Sequence, residues 1–215
     1  MQSDADESVA FDPNELDHDE QYKLMVGSVV PRPIALVSTL GPDGPNAAPF
    51  SFFNTFGIDP PIIAFSASSR DGVLKDTIRN IRAMGEFVVH IVDDPLKEKM
   101  NICAIEYAGE VNEIIEAGLR TAPSLKVRPP RLIDCPVQME CKLLQIVPLG
   151  RRPYDMVIGE VVQFHYRKGL VNGRYHVNAG LLNPLGRLAG YDGYTRITDR
   201  FPMERLPVPP GKKPA

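Results

Sequence analysis

A Gly- and Pro-rich turn between two apolar runs constrains the fold of this chain most strongly. Residues 34–40 are β-branched and apolar, residues 41–44 read Gly-Pro-Asp-Gly, and residues 47–55 can return beside the first run. A turn of this composition between two runs of strand length is typical of a β-hairpin. We therefore predict two antiparallel strands here. Residues 62–66 predict a third, because the prolines at positions 60 and 61 stand only at its entrance.

Further strands follow in the second half of the chain. Residues 86–92 form an apolar run of strand length, and residues 137–143 and 154–166 alternate apolar and polar side chains. Alternation with a period of two residues places one face of a strand against a core and the other toward water. These segments therefore predict one more strand and two long, half-buried ones.

Helices interrupt the strands without alternating regularly with them. Leu74, Ile78 and Ile81 recur at helical spacing, so we predict a helix that Asp71 caps and that runs to about Met84, before Gly85. Residues 94–107 and 111–117 predict two more helices. This order favours a mainly β fold, an antiparallel barrel or sandwich with peripheral helices, over a parallel sheet.

Length and charge limit the domain organisation and the partners. A chain of 215 residues suits one domain, which we place at residues 21–203, between an acidic arm at 1–20 and a Pro-rich tail at 204–215. A net charge of −3 gives no broad basic surface for nucleic acid or an anionic membrane. The acidic start lacks the features of a signal peptide, and no apolar run is long enough to span a bilayer. We therefore expect a cytoplasmic protein.

The cysteines and histidines predict neither disulfides nor a metal site. Cys103, Cys135 and Cys141 are odd in number and stand in apolar or strand-like surroundings, which predicts reduced thiols in the core. The histidines lack metal-ligand spacing. The chain also lacks G-x-S-x-G, G-x-G-x-x-G and P-loop motifs. The sequence therefore contains no motif that indicates a hydrolase or a Rossmann or P-loop nucleotide site.

The densest polar cluster of the sequence suits a phosphate group. Hydroxyls, positive charges and the first amides of a predicted helix come together within a short span, and these are the donors that a phosphate dianion needs. A Ser-rich loop with an ordinary helix cap would account for the same pattern, and the residues leave both readings open. The cluster consists of Ser66, Ser68, Ser69, Arg70, Lys75, Asp76 and Thr77.

The return strand of the hairpin carries a second polar cluster. Small, Pro and aromatic residues here would let a flat heterocycle lie against the backbone, with polar side chains at its edges. Turn and core packing would explain these residues equally well. The residues concerned are Asn46, Ala48, Pro49, Phe50, Ser51 and Asn54.

An ordered set of short segments makes this chain resemble the flavin reductase-like family with the FMN-binding split barrel, close to its flavoredoxin-like branch. Each segment alone matches many proteins, whereas their order from residue 31 to about residue 200 is specific. The segments are PRPIALVST at 31–39, DGPNAAPFS at 43–51, DPP at 59–61, KDT at 75–77, NI at 80–81, EFVV at 86–89, VNE at 111–113, AGL at 117–119, EC at 140–141, IGEV at 158–161 and RLAG at 187–190 with Tyr194.

The resemblance implies a six-stranded antiparallel Greek-key split barrel, a homodimer, and one FMN bound beside the dimer interface. It implies that the flavin ring rests against residues 46–51 and that residues 66–70 and 75–77 hold the phosphate. Arg187, with Tyr191 or Tyr194, belongs to a late segment that borders the flavin or packs at the interface.

The resemblance also implies the activity. Hydride would pass from NAD(P)H to flavin N5, on FMN or on FAD as a substrate, and reduced flavin would serve a partner monooxygenase or another acceptor. An electron carrier of the flavoredoxin type and a flavin-binding or storage protein are the alternatives. No catalytic side chain is assigned: His165 is either near the ring or a satisfied histidine within a strand. The preference between NADH and NADPH stays open.

Overall fold

The computed structural model describes residues 8–69, 73–107, 111–152, 154–189 and 192–207. Most of its strands belong to one antiparallel sheet of seven strands, so the mainly β prediction is confirmed. The seven strands are β2 (Ala35–Gly41), β3 (Gly44–Phe50), β4 (Phe53–Ile58), β5 (Pro61–Ser68), β6 (Glu86–Ile91), β9 (Val137–Leu149) and β10 (Tyr154–Tyr166). Their spatial order is β3-β2-β6-β9-β10-β5-β4.

The two edges of this sheet meet. The edge strands β3 and β4 are consecutive in the chain and only Ser51 and Phe52 separate them. Two intervening residues span at most about 10 Å, so the sheet must curl until its edges are neighbours. The backbone N–H of Ser66 in β5 donates to the carbonyl oxygen of Phe52 at 2.8 Å. The curled sheet is the split barrel predicted from the sequence, and we call the line where its edges meet the seam.

The prediction of a single return strand over residues 47–55 was wrong. Phe50 lies opposite Ala35 of β2, whereas Phe53 lies opposite Phe65 of β5. The run therefore changes partner at the seam and counts as two strands, which makes seven in the main sheet instead of six. Alternation along a chain reports which face is buried and carries no information on which strand is the partner.

The core occupies both faces of β2. Val37 points into the barrel with Phe65 and Phe87, whose rings meet edge to face with centroids 5.8 Å apart. Leu36 points outward, where it is fully buried beside Met100. Burial on both faces explains why residues 34–37 are a continuous apolar run.

Short strands and helices surround the barrel. Strands β1, β11 and β12 form a small sheet, and β7 and β8 form a hairpin-like pair. The short strands are β1 (Arg32–Pro33), β7 (Thr121–Ala122), β8 (Arg131–Leu132), β11 (Leu185–Arg187) and β12 (Tyr194–Arg196); the helices are α1 (His18–Ser28), α2 (Asp76–Met84), α3 (Lys97–Ile102), α4 (Glu113–Glu116) and α5 (Ala179–Leu182).

Helix α2 packs on the barrel through Ile78 and Ile81, which belong to its core. The helix begins at Asp76, with Lys75 as its N-cap residue, so the predicted start after Asp71 was too early, and Asp71 itself lies outside the described residues. Gly85 ends it in the left-handed conformation, with φ 72°, as the sequence predicted.

The other helices depart from prediction in length. Residues 94–102 form a 3-10 turn followed by α3, so the helix expected through residue 107 ends five residues earlier. Asn112 caps α4, which is one turn long. Helix α1 was not predicted. Asp17 and Glu20 form a capping box at its start, and it crosses the expected boundary between arm and domain at residue 20.

The three cysteines are buried free thiols, as predicted. Burial raises the pKa of Cys103 to about 12 and that of Cys135 and Cys141 further. A thiol that stays protonated at neutral pH is a poor nucleophile. Within the described part of the chain, no helix is both long and apolar enough to cross a membrane.

Candidate functional site

A groove of about 350 Å³ follows the seam of the barrel, and we call it the seam groove. It brings together Ser51 and Asn54 of the predicted ring wall and Ser66 of the predicted phosphate cluster. These residues meet because β4 pairs with β5 directly after the seam. The complete lining is Met25, Val29, Pro31, Arg32, Pro33, Ser51, Phe52, Phe53, Asn54, Phe56, Ala64, Phe65, Ser66 and Met156.

Aromatic and apolar side chains make up most of this lining. The ring of Phe52 stacks on Tyr154 with centroids 5.9 Å apart, which braces one wall of the groove. Phe53 is half-buried and Phe56 is exposed at the rim. Apolar walls with a few hydroxyl, amide and cationic groups are the usual lining of a site for a planar organic ligand.

Arg32 is the one charged side chain among the groove residues, and sequence reasoning assigned it no role. It is only 7% exposed. One terminal nitrogen donates to the carbonyl oxygens of Val26 at 2.7 Å and Val29 at 2.8 Å, and the other donates to that of Leu188 at 3.0 Å. Its Nε has no hydrogen-bond partner among the described residues. An arginine between two prolines, Pro-Arg-Pro at 31–33, was the available signal.

Arg32 also faces a like charge. It lies directly opposite Arg187 in the pairing of β1 with β11. Directly opposed residues of antiparallel strands share a face, with Cβ atoms about 5 Å apart. Burial lowers the pKa of Arg32, and the charge of Arg187 lowers it further. The fold thus holds a desolvated cation with an unused donor at the groove.

Asn46 belongs to a different, partly buried network of hydrogen bonds. Its side-chain nitrogen donates to both carboxylate oxygens of Glu113, at 2.9 and 3.0 Å, and its oxygen accepts from the Thr77 hydroxyl at 3.2 Å. Burial raises the pKa of Glu113. These contacts tie β3, α2 and α4 together, so the structure places Asn46 and Thr77 side by side and away from the lining of the seam groove.

Lys75 lies near Phe50, the last residue of β3. Its Nζ is 6.0 Å from the centroid of the Phe50 ring, at the start of α2. Asp76 forms an ion pair with Arg79 at 2.8 Å. The structure therefore brings Lys75 to Phe50, the residue that precedes the groove residue Ser51 in the sequence.

The remaining described residues that were predicted to bind the cofactor are not in the lining of the seam groove. Ala48 packs on the barrel core, and Pro49 lies opposite Leu36 on the other face of β3. Ser68 ends β5 opposite Tyr154, and Ser69 follows it. Arg70 lies outside the described residues.

Arg187 lines a second groove, of about 530 Å³, between α3 and the small sheet. Its guanidinium carbon lies 4.4 Å from the centroid of the Tyr194 ring, a cation–π contact. Tyr191 lies outside the described residues. The structure thus joins Arg187 to Tyr194, as members of one late segment, and does not place them in the lining of the seam groove.

His165 lies far along β10 from the seam groove. Met156, the β10 residue of the groove, precedes it by nine residues, or about 30 Å of extended strand. The Nε2 of His165 is 2.6 Å from a carboxylate oxygen of the buried Glu140. Burial alone would raise the pKa of Glu140, but donors from Leu125, His165 and Lys126 hold it below the ordinary value. His165 is therefore a satisfied strand histidine in this chain.

Comparison with known proteins agrees with this architecture. The family described as "Flavin reductase like domain" matches residues 26–181. A protein of Halalkalibacterium halodurans, named only as uncharacterised, is 38% identical over 201 residues, which cover 91% of this chain and 95% of that one.

Two solved structures are similar over nearly their whole length. Nitrilotriacetate monooxygenase component B from Bacillus cereus is 35% identical with a TM-score of 0.89, covering 93% of this chain and 100% of that one. The Pseudomonas fluorescens 2-nitrobenzoate 2-nitroreductase NbaA is 36% identical with a TM-score of 0.83, covering 96% and 100%. Since the family match spans most of the barrel and these relatives match almost end to end, this chain belongs to the flavin reductase-like family.

Proposed function

We propose that this protein binds FMN in the seam groove and reduces flavin with NAD(P)H. The observation that carries the proposal is the groove itself, with apolar and aromatic walls, three polar side chains at Ser51, Asn54 and Ser66, and one buried guanidinium. Membership of the flavin reductase-like family supports the same assignment.

The groove residues suit a flavin. The ring system is flat and apolar on its faces, and its pyrimidine edge carries carbonyl oxygens and ring nitrogens that need donors. Phe52 and Phe53 suit the faces, and the side chains of Ser51 and Asn54 suit the edge.

The phosphate of FMN would lie toward α2. Lys75 is the N-cap residue of this nine-residue helix, where unpaired backbone N–H groups and the helix dipole favour negative charge. Ser66 lines the groove on the β5 side, and Ser69 and Arg70 complete the set proposed from the sequence. Thr77 would act through the Asn46 network that orients the first turn of the helix.

Flavin, when bound, supplies the redox chemistry by accepting hydride at N5. The protein's own task is to hold the ring, keep one face open to the nicotinamide and exclude competing ligands. No acid, base or nucleophile from the chain is needed for that transfer.

The partners we propose are a second copy of the chain and an acceptor enzyme. Met25, Val29 and Phe56 are apolar, line the groove and are exposed at its rim, so another subunit would cover them. One relative is named as component B of a monooxygenase. By that likeness we propose that reduced flavin serves a partner monooxygenase.

Spectroscopy and steady-state assays test this function. Purified protein mixed with FMN should show a perturbed oxidised-flavin spectrum and release FMN on denaturation, and NADH or NADPH should be oxidised when FMN or FAD is added. Failure to bind any flavin, or absence of flavin-dependent oxidation of both nucleotides, would reject the reductase. Sedimentation of the same sample gives the oligomeric state.

Direct reduction of a small aromatic acceptor is a second candidate. The relative at 36% identity is named as a 2-nitrobenzoate 2-nitroreductase, and it covers 96% of this chain. We propose 2-nitrobenzoate as the probe. Oxidation of NAD(P)H by protein with bound FMN that depends on 2-nitrobenzoate and not on added free flavin would favour this activity over release of reduced flavin.

A further inference from the structure

One wall of the second groove, which has a volume of about 530 Å³, is a face of the small sheet. Arg187 lies opposite Tyr194 in the pairing of β11 with β12, and Leu185 lies opposite Arg196. Directly opposed residues share a face, and so do residues two apart along a strand. These four side chains therefore lie on the same side of the sheet, and all four line the groove.

The other wall is one face of α3 and of the turn that follows it. The groove residues Lys97, Met100, Asn101 and Ala104 are spaced at i, i+3, i+4 and i+7, which places them on one side of a helix. Met100 and Leu185 are buried members of one hydrophobic cluster. The groove therefore has an apolar floor between two walls that carry charged side chains.

Two cations from opposite walls meet at one carboxylate oxygen of the groove. The Nη2 of Arg196 lies 2.9 Å from the Oδ1 of Asp94, and the Nζ of Lys97 lies 3.7 Å from the same atom. Lys97 also pairs with Glu98 at 3.2 Å, and the Glu98 side chain is 70% exposed. Asp94 thus holds two cations close together, and each stays about half exposed, so a ligand can reach them.

Arg187 adds a third cation and an aromatic surface. Its guanidinium carbon lies 4.4 Å from the centroid of the Tyr194 ring, and Tyr194 is 39% exposed. Asp192, the remaining charged residue of the lining, is exposed. Guanidinium groups bind phosphate oxygens, and purine rings stack on aromatic side chains and guanidinium planes. The groove therefore combines donors for a pyrophosphate with a surface for a purine.

The second groove adjoins the seam groove. Arg32 lines the seam groove, Arg187 lines the second groove, and the two residues lie directly opposite each other in β1 and β11. Neighbouring strands are about 5 Å apart, so one dinucleotide can reach from one groove to the other. The seam groove, of about 350 Å³, is near the lower end of the usual range of about 300–1,000 Å³ for one small ligand. A flavin there leaves the larger part of a nicotinamide dinucleotide to be bound elsewhere.

We propose that the second groove binds the adenosine diphosphate half of NAD(P)H, while the nicotinamide reaches the flavin in the seam groove. Lys97, Arg187 and Arg196 bind the pyrophosphate oxygens, and the adenine stacks beside Tyr194. FAD carries the same half, but the flavin phosphate in the proposed function lies toward α2, which contributes no residue to the lining of the second groove. The inference rests on the proposed function and gives the hydride donor a site of its own.

Calorimetric titration with ADP-ribose tests the groove without any hydride transfer. ADP-ribose carries the adenosine diphosphate half and no nicotinamide. We expect the wild-type protein to bind it equally well with and without FMN. Arg187→Gln and Arg196→Gln should each weaken binding about tenfold, because each removes a charge-assisted contact. Arg120→Gln is the matched control, since Arg120 also pairs with an aspartate, Asp134 at 2.7 Å, and lies in the lining of neither groove.

Steady-state kinetics connect the groove to the hydride donor. With FMN as acceptor, kcat/KM of the wild-type protein for the better of NADH and NADPH should exceed that for reduced nicotinamide riboside about 100-fold, because the riboside lacks the phosphates and the adenosine. Arg187→Gln should lower this ratio about tenfold, and Arg120→Gln should keep it. The ratio of the FMN and FAD dissociation constants should be the same in all these proteins.

The outcomes separate this inference from the proposed function. A wild-type protein that does not bind ADP-ribose, or binds it in competition with FMN, overturns the inference even if neither groove variant folds. Folded Arg187→Gln and Arg196→Gln variants with wild-type affinity for ADP-ribose overturn it too. A selective loss of FAD affinity in Arg187→Gln would assign the groove to the flavin dinucleotide and overturn its assignment to NAD(P)H. Binding of ADP-ribose that depends on Arg187, in a protein that binds no flavin, would reject the proposed function and retain the groove as a nucleotide site.

Discussion

The backbone N–H of Ser66 donates to the carbonyl oxygen of Phe52 at 2.8 Å, and this bond closes the barrel where its two edges meet. Phe52 is one of the two residues between the edge strands, and Ser66 lies in the strand next to one edge. The same contact places the Phe52 ring and the Ser66 hydroxyl in the lining of one groove. The contact that closes the barrel therefore also brings two residues of the candidate site together.

Phe52→Ala should weaken flavin binding about tenfold, because the groove loses an aromatic wall worth roughly 0.5–1.5 kcal/mol beyond its area. Fluorescence titration with FMN measures the change. Phe164→Ala is the control, since Phe164 stacks on Tyr166 outside the groove lining. Equal affinities in the two variants would show that the flavin lies elsewhere.

Lys75→Ala should weaken FMN binding by about 1.5–3 kcal/mol, the contribution of a charge-assisted contact to phosphate. Riboflavin has no phosphate, so its affinity should hardly change. Arg79→Ala serves as the control because Arg79 pairs with Asp76 on the exposed side of the same helix. A loss of affinity for riboflavin as large as that for FMN would contradict the phosphate assignment.

His165→Gln should retain flavin reduction, because the amide can still donate to Glu140 and the residue lies far from the seam groove. His165→Ala should lower the free energy of unfolding by about 1–3 kcal/mol, since a buried carboxylate loses a donor. Urea unfolding and steady-state kinetics measure the two effects separately. A large fall in kcat for a stable His165→Gln variant would show that His165 takes part in flavin reduction.

The free energy of unfolding should decrease as the pH falls from 6.5 toward 4. His90 is buried, and burial lowers its pKa to about 4 from 6.5. Its Nδ1 lies 2.8 Å from the Leu36 carbonyl oxygen, and its Nε2 accepts the Leu132 N–H, so the folded protein keeps it neutral. Across this range the unfolded chain binds the extra proton, which costs on the order of 3 kcal/mol.

Urea unfolding at several pH values checks this dependence. A His90→Gln variant should be less stable at pH 7 but should lose less stability between pH 6.5 and 4. Parallel pH profiles for the variant and the wild-type protein would exclude His90 as the cause.

Gly159→Ala should destabilise the fold by about 1–3 kcal/mol, because a Cβ there would collide with the ring of Phe87 in the barrel core. Gly173→Ala is the matched control, since a Cβ at that position meets no atom within 4 Å. Thermal unfolding compares the two. Similar melting temperatures would mean that the Phe87 ring moves aside at little cost.

The features that the sequence predicted correctly are local. The Gly-Pro-Asp-Gly turn joins β2 and β3, alternation marks β9 and β10, and Gly85 ends α2 in the left-handed conformation. The family followed from an ordered set of short motifs, and the comparisons bear it out. In each case the feature depends on residues that are close together in the sequence, so the sequence pattern alone is enough to predict it.

The sequence by itself determined the mainly β class, the strand faces and the family of this protein. Only the tertiary structure decided that residues 47–55 form parts of two strands, one at each edge of the sheet. It also decided that the Asn46 side chain donates to Glu113, and that Arg32 lies beside Phe52 with an Nε that has no hydrogen-bond partner among the described residues. The physical reason is that side-chain alternation is set within a strand, whereas strand partners and grooves arise from contacts between distant segments. The seam groove joins residues from 25 to 156, and no local pattern encodes such a meeting.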